Sequence, residues 1–386
     1  MARDWRSVGT VAAWQTAASL CYYSIFAATS FVRDAFTLSE SLVGLFLTAA
    51  LVGYTAALFP SGAAVDGFGE KPVMVGGLVA LAVAAVGVSL APSYGAVLVA
   101  GAVLGVAYSS AMPGTNRGIV ATAPRGRENF AMGLKQVGVT AGSGAASLVV
   151  TGVAAVAAWQ VGFWVIAVVA AGYAVAFAVL YDGAGGSGEF SVPDVRDLRA
   201  NGAYLLLVAG GLFLGASIYS MLGYTILYVE DVVGASAAVG GAILALTQVT
   251  GSVSRVGAGS LADRFGGANG AVTVALGQVA LSVCLFAALA VGAASLPVAV
   301  AVFAGLGLSI HGSTGVFYSC LSELVADDDI GAATAGGQTA INVGGLLAPP
   351  LFGALVETAG YAEGWALLAG CTVAAAGLLF AVRRRT

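Results

Sequence analysis

Charge is what this sequence has least of. Only 9% of its 386 residues are Asp, Glu, Lys or Arg, whereas 59% are hydrophobic. A soluble globular protein carries roughly 25% charged residues, because its surface must face water. The shortage therefore excludes an ordinary soluble protein and indicates that most of the surface faces lipid. The sequence predicts an integral membrane protein.

The sequence lacks the residues that several kinds of functional site need. The chain has one histidine, and its four cysteines stand singly in apolar segments, without the paired spacing of a metal or redox site. The sequence shows no nucleophile–base pair and no G-x-x-x-x-G-K-S/T loop that would hold ATP phosphates. We therefore predict that the chain is not an enzyme and has no cofactor, no metal and no nucleic-acid partner.

Long apolar segments are what the chain does have. A membrane-spanning helix needs about 20 apolar residues, whereas barrel strands alternate over about ten, so the long continuous runs favour helices. The 56 glycines are interleaved with Val, Leu and Ile, which suits helices that pack through small residues. The twelve predicted spans are 8–31, 41–60, 72–91, 95–116, 129–153, 160–181, 202–228, 236–258, 271–291, 296–320, 331–356 and 361–382.

A short charged stretch after the second span occurs again after the eighth span. The two copies, 197 residues apart, are Gly62, Asp66, Phe68 and Gly69, and Gly259, Asp263, Phe265 and Gly266. A second echo, 202 residues apart, relates Gln136 and Gly142 in the fifth span to Gln338 and Gly344 in the eleventh. Such a long period indicates two related halves.

The longest polar stretch lies between the sixth and seventh spans, where the repeat predicts a boundary. It is rich in glycine and charge, as a linker would be. We therefore predict a six-helix bundle over 1–181, a cytoplasmic linker over 182–200 and a second six-helix bundle over 201–386.

Lysine and arginine are distributed unevenly among the predicted loops. With a cytoplasmic N-terminus, thirteen of the fifteen lie on the inner side, only Arg33 lies on the outer side, and Lys135 lies within a span. Basic residues mark the cytoplasmic side of a membrane protein. We predict a multi-pass protein of the cell (cytoplasmic) membrane with both termini in the cytoplasm.

Twelve spans arranged six plus six around a linker, with a charged island after the second span of each half, resemble the major facilitator superfamily of secondary transporters. The family pattern is Gly-x-x-x-Asp-Arg-x-Gly-Arg-Lys/Arg. The first island departs from it at Gly67 and Glu70. The resemblance covers the whole chain and implies an all-α integral membrane protein with twelve transmembrane helices in two pseudo-symmetric bundles.

The resemblance also implies that the islands join the two halves and act as a gate. We expect Gly62 and Gly259 to allow close helix approach, and Gly69 and Gly266 to permit tight turns. Arg117 is the predicted partner of Asp66. The candidate gating residues are Gly62, Asp66, Gly69, Lys71, Arg117, Arg255, Gly259, Asp263, Arg264 and Gly266.

In this family the solute cavity lies near the midplane, lined mainly by helices 1, 4, 7 and 10. Polar side chains on these and the neighbouring spans are candidates, because a polar group in hydrocarbon needs a partner or water. The candidate substrate-binding residues are Gln15, Tyr22, Tyr54, Lys135, Gln136, Tyr224, His311, Gln338 and Asn342. For the amides and tyrosines the alternative is packing between helices. For Lys135 it is snorkelling to the surface, and for His311 a neutral, hydrogen-bonded ring.

The charges within the spans favour an anionic solute. Lys135 and His311 lie inside spans, whereas no Asp or Glu lies at the centre of one. We predict a monomeric secondary active transporter, a permease or symporter in contact with membrane lipid. It would move a small organic or inorganic anion by alternating access, with a proton or other coupling ion. The alternatives are proton-coupled efflux of drugs or metabolites and a non-transporting receptor or scaffold.

Overall fold

The computed structural model describes residues 4–125, 127–183, 185–190, 197–265, 267–292, 294–326 and 330–385. Across these ranges the chain is nearly all helical and contains no strand. Eleven helices are long and apolar enough to cross a membrane. The helix over Trp5–Ala27 is not one of these eleven, because it carries more polar side chains. With it, the described residues contain twelve helices of membrane-spanning length. The predicted all-α fold with twelve membrane helices is confirmed.

We number these helices α1 to α12 in chain order. Their bounds are Trp5–Ala27, Glu40–Phe68, Glu70–Ser89, Tyr94–Thr122, Glu128–Ala154, Trp159–Leu180, Gly202–Asp231, Ala237–Phe265, Gly267–Ala290, Leu296–Leu324, Ile330–Thr358 and Tyr361–Arg383. A short helix over Thr29–Phe36 continues α1, and a 3₁₀ helix over Asp197–Ala200 precedes α7. Each predicted span overlaps one of these helices. The helices α2 and α8 extend beyond the predictions, because their last turns are more polar than the apolar runs that were counted.

Local sequence sets several helix ends. Asp4 accepts a hydrogen bond from the backbone N–H of Ser7 at 2.8 Å and so caps α1. Asn201 caps α7 in the same way, accepting from two backbone N–H groups. Gly69 has φ +88° between α2 and α3, a conformation that glycine adopts without strain. The predicted tight turn at Gly69 is confirmed.

Contacts group the chain into two compact units. Unit 1 comprises Met1–Phe31 and Ala49–Val192, and unit 2 comprises Val32–Thr48 and Pro193–Thr386. Residues 32–48, which contain the start of α2, thus pack with the C-terminal helices although they precede the linker in sequence. The bundle boundaries predicted above stay a prediction.

Glycines allow close helix crossings in unit 1. A Cβ at Gly142 of α5 would overlap the backbone carbonyl of Thr16 in α1. Between α2 and α4, a Cβ at Gly53 would overlap the carbonyl of Ala102. These two helix pairs therefore depend on glycine at the crossing, because any side chain there would push the backbones apart.

Unit 2 repeats this arrangement between the equivalent helix pairs. A Cβ at Gly344 of α11 would overlap the backbone carbonyl of Leu212 in α7, and one at Gly307 of α10 would overlap that of Thr247 in α8. Gly344 is the residue that the repeat pairs with Gly142. The predicted echo between the fifth and eleventh helices therefore has a structural counterpart.

Two other predicted glycine roles are wrong. A Cβ at Gly62 or at Gly259 would meet no described atom within 4 Å, so neither residue allows a close helix approach. The prediction came from the motif, whereas a close approach depends on which helix lies opposite. Gly266 lies outside the described residues.

Candidate functional site

Gln15 of α1 is the centre of a polar network in unit 1. Its side chain is 2% exposed, and its amide nitrogen donates to the hydroxyl oxygens of Ser19 at 3.1 Å and Tyr108 at 3.3 Å. Its amide oxygen accepts from the Thr115 hydroxyl at 3.1 Å. Tyr108 and Thr115 of α4 were not among the site residues predicted from the sequence. The signal that could have found them is the polar pair Ser109–Ser110 within an otherwise apolar span.

The predicted site residues Tyr22 and Tyr54 pack together with Tyr108 beside this network. Tyr22 stacks on Tyr108 with ring centroids 4.2 Å apart and planes 6° apart. Tyr54 meets Tyr108 edge-on at 5.3 Å. The Tyr22 hydroxyl is fully buried and has no hydrogen-bond partner among the described residues. Stacked aromatic rings add about 0.5–1.5 kcal/mol beyond their burial, so this cluster also stabilises the unit.

Lys135 of α5 is buried rather than extended to solvent. It is 2% exposed, and its ammonium donates to the Asn116 side-chain oxygen at 2.8 Å. Asn116 is the residue after Thr115 in α4, so consecutive residues of that helix engage Lys135 and Gln15. Gln136, the next predicted residue, is half-buried and makes no hydrogen bond within the described part of the chain.

Helices α4 and α10 are both interrupted near their middles. In α4 a turn at Ser109–Ser110 separates Tyr94–Tyr108 from Ala111–Thr122. In α10 a π-helical segment covers Gly307–His311, where the Gly312 N–H donates to the Gly307 carbonyl at 2.9 Å. The interruptions lie about 200 residues apart, as the repeat requires. Irregular turns of this kind inside membrane helices are frequent at functional sites.

His311 ends the π-helical segment and is 4% exposed. Its Nδ1 atom has no partner among the described residues. A Cβ at Gly251 of α8 would come within 2.8 Å of the ring, and Arg255 of α8 donates to the His311 carbonyl at 3.4 Å. The ring is therefore enclosed between α10 and α8, with one nitrogen available for a further hydrogen bond.

A second amide network lies on α10 and α11. The Tyr318 hydroxyl donates to the side-chain oxygen of Gln338, whose nitrogen donates to the Asn342 oxygen at 2.7 Å. The Asn342 nitrogen is buried without a partner in the described residues. Gln338 and Asn342, two of the candidate residues, are thus hydrogen-bonded to each other one turn apart on α11.

Tyr224, in contrast, makes packing contacts. Its hydroxyl lies 2.6 Å from the Glu40 carbonyl and 2.9 Å from the Pro349 carbonyl, and its ring packs on Phe352. A hydroxyl engaged by two backbone carbonyls has little capacity left for a solute.

The first charged island forms an ion-pair cluster around Arg117. One guanidinium nitrogen lies 3.1 Å from Asp66 and another lies 3.3 Å from Glu70. The pairing predicted for Asp66 is confirmed. Glu70, which departs from the family pattern, accepts from the Tyr181 hydroxyl at 3.1 Å as well.

The linker folds back on this island. The Ser187 N–H donates to the Asp66 carbonyl at 2.8 Å, and the Gly188 N–H donates to the Gly67 carbonyl at 3.2 Å. The Phe190 ring meets Phe68 edge-on at 5.1 Å and also covers Gly67, where a Cβ would overlap it. The second departure from the family pattern thus has a steric explanation, because a side chain at position 67 would displace the linker.

The second island is described in part. Arg255 contacts α10 through the His311 carbonyl, and Arg264 is exposed in the last turn of α8. Gly266 and the side chain of Asp263 lie outside the described part. Lys71 of the first island packs its methylenes beside Gly183, which has φ +67°.

Arg33, the one basic residue on the predicted outer side, is ion-paired within unit 2. Its guanidinium donates two hydrogen bonds to Asp231, at 2.6 and 3.1 Å, and a third to Glu40 at 2.9 Å. The Tyr361 hydroxyl donates to Asp231 at 2.7 Å. We call these four residues, Arg33, Glu40, Asp231 and Tyr361, the Arg33 cluster. It joins residues 32–48 to the ends of α7 and α12.

The start of α2 is fixed to α11 in the same region. The Ser41 N–H donates to the Glu357 carboxylate, and the Thr48 hydroxyl donates to the Leu346 carbonyl at 2.7 Å. A Cβ at Gly44 would overlap the Pro349 carbonyl. The helices therefore touch backbone to backbone beside the Arg33 cluster.

Comparison with known proteins places the fold. The chain matches the family model described as Major Facilitator Superfamily over residues 12–335. No curated protein matches it.

Solved structures of transporters resemble the chain over nearly its full length. A bacterial homolog to the human lysosomal transporter Spinster, inward-facing and unoccupied, has a TM-score of 0.82 at 15% identity, covering 100% of this chain and 98% of that one. Its inward-facing, occupied form has 0.79 at 15%, covering 98% and 96%. A mutant of the nucleoside transporter NupG has 0.80 at 13%, covering 97% and 99%. At these identities the likeness shows the fold alone. Because the family match spans most of its length, the chain belongs to the Major Facilitator Superfamily and is a multi-pass membrane transporter rather than an enzyme.

Proposed function

We propose that this transporter moves a small organic or inorganic anion across the cell membrane by alternating access. Lys135 carries the proposal. It is 2% exposed within a membrane helix, and its ammonium donates to a neutral amide oxygen. An ionisable residue held inside a membrane is costly and by default marks a solute or ion pathway.

The polar groups next to Lys135 support an anionic solute. Consecutive residues of α4 engage the two groups, since Asn116 accepts from Lys135 and Thr115 donates to Gln15. The sequence places no Asp or Glu at the centre of a span. A cationic solute would therefore find no counter-charge there, whereas an anion would be attracted by the ammonium.

His311, Gln338 and Asn342 are the contacts that we propose in unit 2. His311 and Asn342 each carry a buried nitrogen without a partner among the described residues, and Gln338 orients the asparagine. If transport is coupled to protons, His311 or the solute itself carries the proton, because the spans hold no central carboxylate. The chain would then be a symporter.

Two ionic clusters are the proposed gates. The bundles 1–181 and 201–386 would rock around the solute. The Asp66–Arg117 pair would act on the side where both termini lie, which we propose to be the cytoplasm. The Arg33 cluster would act on the other side, because α2 can part from α7 and α11 only when its bonds break.

Binding of labelled lactate, malate and phosphate to purified protein tests the anion site. Lys135→Ala should weaken binding of the preferred anion by roughly 10- to 150-fold, since a charge-assisted bond is worth about 1.5–3 kcal/mol. Lys135→Arg should retain part of the affinity. Arg199→Ala, which removes an exposed linker charge, is the matched control and should change nothing. A labelled cation that binds and is unaffected by Lys135→Ala and His311→Ala would overturn the proposal.

A further inference from the structure

Gln248 of α8 is a buried amide that unit 2 leaves unsatisfied. Its side chain is 1% exposed, and neither its amide nitrogen nor its amide oxygen has a hydrogen-bond partner among the described residues. A buried donor and a buried acceptor that make no hydrogen bond destabilise the fold. A leucine of similar size at this position would not carry that cost. Such a group calls for a polar ligand.

The position of Gln248 places it on the side of α8 that faces His311. Gly251 and Arg255 follow it at i+3 and i+7, so the three residues form one stripe on the helix. Gly251 lies against the His311 ring, and Arg255 donates to the His311 carbonyl. Gln248 thus lies one turn along α8 from the ring and the π-helical segment.

Gln15 shows what a satisfied amide looks like in the same protein. Both of its amide atoms are bonded, to Ser19, Tyr108 and Thr115. The two glutamines are equally buried, yet only Gln248 lacks partners among the described residues. The difference indicates that the hydrogen bonds of Gln248 are made to something that the chain does not supply.

We propose that Gln248, together with His311, determines specificity by binding a hydrogen-bond donor on the solute. The transported acid then carries a hydroxyl or N–H group and is not a simple oxyanion. This inference rests on the proposed anion transport and narrows its substrate class.

The chemistry of the unpartnered atoms leads to this class. The amide nitrogens of Gln248 and Asn342 are donors, which the oxygens of an acid satisfy. The amide oxygen of Gln248 only accepts, so a solute that lacks a donor leaves it unpaired. Because a site with an unpaired buried group rejects the analogue, a hydroxy acid should bind about 5- to 150-fold more tightly than its deoxy counterpart.

Matched acids test the proposal on the purified full chain in lipid nanodiscs. Dissociation constants are measured for glycolate against acetate and for malate against succinate. The native protein should prefer the hydroxylated acid of at least one pair by about 5- to 150-fold, and Gln248→Leu should reduce the preference to about onefold. Gln160→Leu in α6 is the control, because Gln160 is half-buried and is not among the described residues with an unpartnered buried amide atom, and it should keep the preference.

A second measurement excludes a purely structural role. Without solute, Gln248→Leu should melt at the same temperature as the native protein or higher, because it removes an unsatisfied amide. A lower melting temperature would mean that the amide already has a structural partner and would overturn the proposal.

The outcomes separate this inference from the proposed function. Equal binding of both acids of each pair, or a preference that survives Gln248→Leu, overturns the role of Gln248 and leaves anion transport standing. Glycerol is the neutral hydroxylated probe in the same assay. Binding of glycerol alone, lost in Gln248→Leu, overturns the anion proposal and keeps the role of Gln248. No binding by any of these probes overturns both.

Discussion

Removing Arg33 should open the end of the protein at which the Arg33 cluster lies. Arg33 makes three charge-assisted bonds to Asp231 and Glu40, and Arg33→Ala leaves both carboxylates without their cation. The side chains of Arg33, Glu40 and Asp231 are 19%, 15% and 31% exposed, which is intermediate between a surface pair and a buried one.

The free-energy cost of removing Arg33 follows from the partial exposure of these side chains. An exposed pair contributes about 0.2–1 kcal/mol, whereas removing one partner of a buried pair costs about 3–5 kcal/mol. For the Arg33 cluster we expect about 2 kcal/mol, which is roughly a 30-fold shift of the equilibrium toward the open form.

Thiol labelling measures this shift. Leu47 is buried against Gly223 beside the cluster, so a single cysteine introduced by Leu47→Cys should react only in the open form. The four native cysteines are first replaced by serine. A membrane-impermeant maleimide should then label the Arg33→Ala variant roughly 30-fold faster than its parent, because labelling follows the open population.

Two further variants test whether the Arg33 cluster holds this end closed. Asp34 is 71% exposed and lies 3.5 Å from the Arg33 Nε atom, so Asp34→Ala should leave the labelling rate unchanged. A double-mutant cycle of Arg33→Ala with Asp231→Ala should give a coupling energy above about 1 kcal/mol. A rise in labelling of less than threefold, or a coupling energy near zero, would show that the cluster does not hold this end closed.

Three further predictions concern packing, the unit 1 network and the linker. Gly142→Ala should lower the melting temperature by several degrees because its Cβ overlaps the facing backbone, whereas Gly152→Ala in the same helix, with no atom within 4 Å, should raise it slightly or leave it unchanged. Gln15→Leu should reduce solute affinity by roughly 5- to 150-fold, because the Tyr108 and Thr115 hydroxyls lose their hydrogen bonds to the amide. Unchanged binding would show that this network is not part of the solute site. Gly67→Ala should increase chymotryptic cleavage after Phe190 several-fold by displacing the linker, and Gly62→Ala should not; equal cleavage in both would contradict the docking of Phe190.

Composition and periodicity were enough to predict the twelve helices, because apolar length is decided locally along the chain. The twelve spans, the central linker and the repeated island together indicated the family, and the position of Arg117 at the end of the fourth span predicted its pairing with Asp66. The glycine roles could not be predicted as reliably. Gly142 and Gly62 look alike in sequence, but only the first faces another backbone.

The site was predicted in part, because a hydrogen-bond network depends on which side chains face each other. Gln15 was selected from its polarity, but its partners Tyr108 and Thr115 lie on either side of a helix interruption that periodicity does not indicate. Arg33 was the one basic residue that the sequence placed on the outer side of the membrane. Its ion pairs, which join distant parts of the sequence, give the reason for its position.

Counterflow in proteoliposomes tests the central claim most directly. Vesicles that contain the purified protein are loaded with an unlabelled anion and diluted into a trace of the same labelled anion. We expect a transient, saturable accumulation of label for at least one small organic or inorganic anion, reduced at least tenfold by Lys135→Ala and retained in Arg199→Ala. Accumulation of a labelled cation instead, at equal rates in the native protein and in the Lys135→Ala variant, would contradict it.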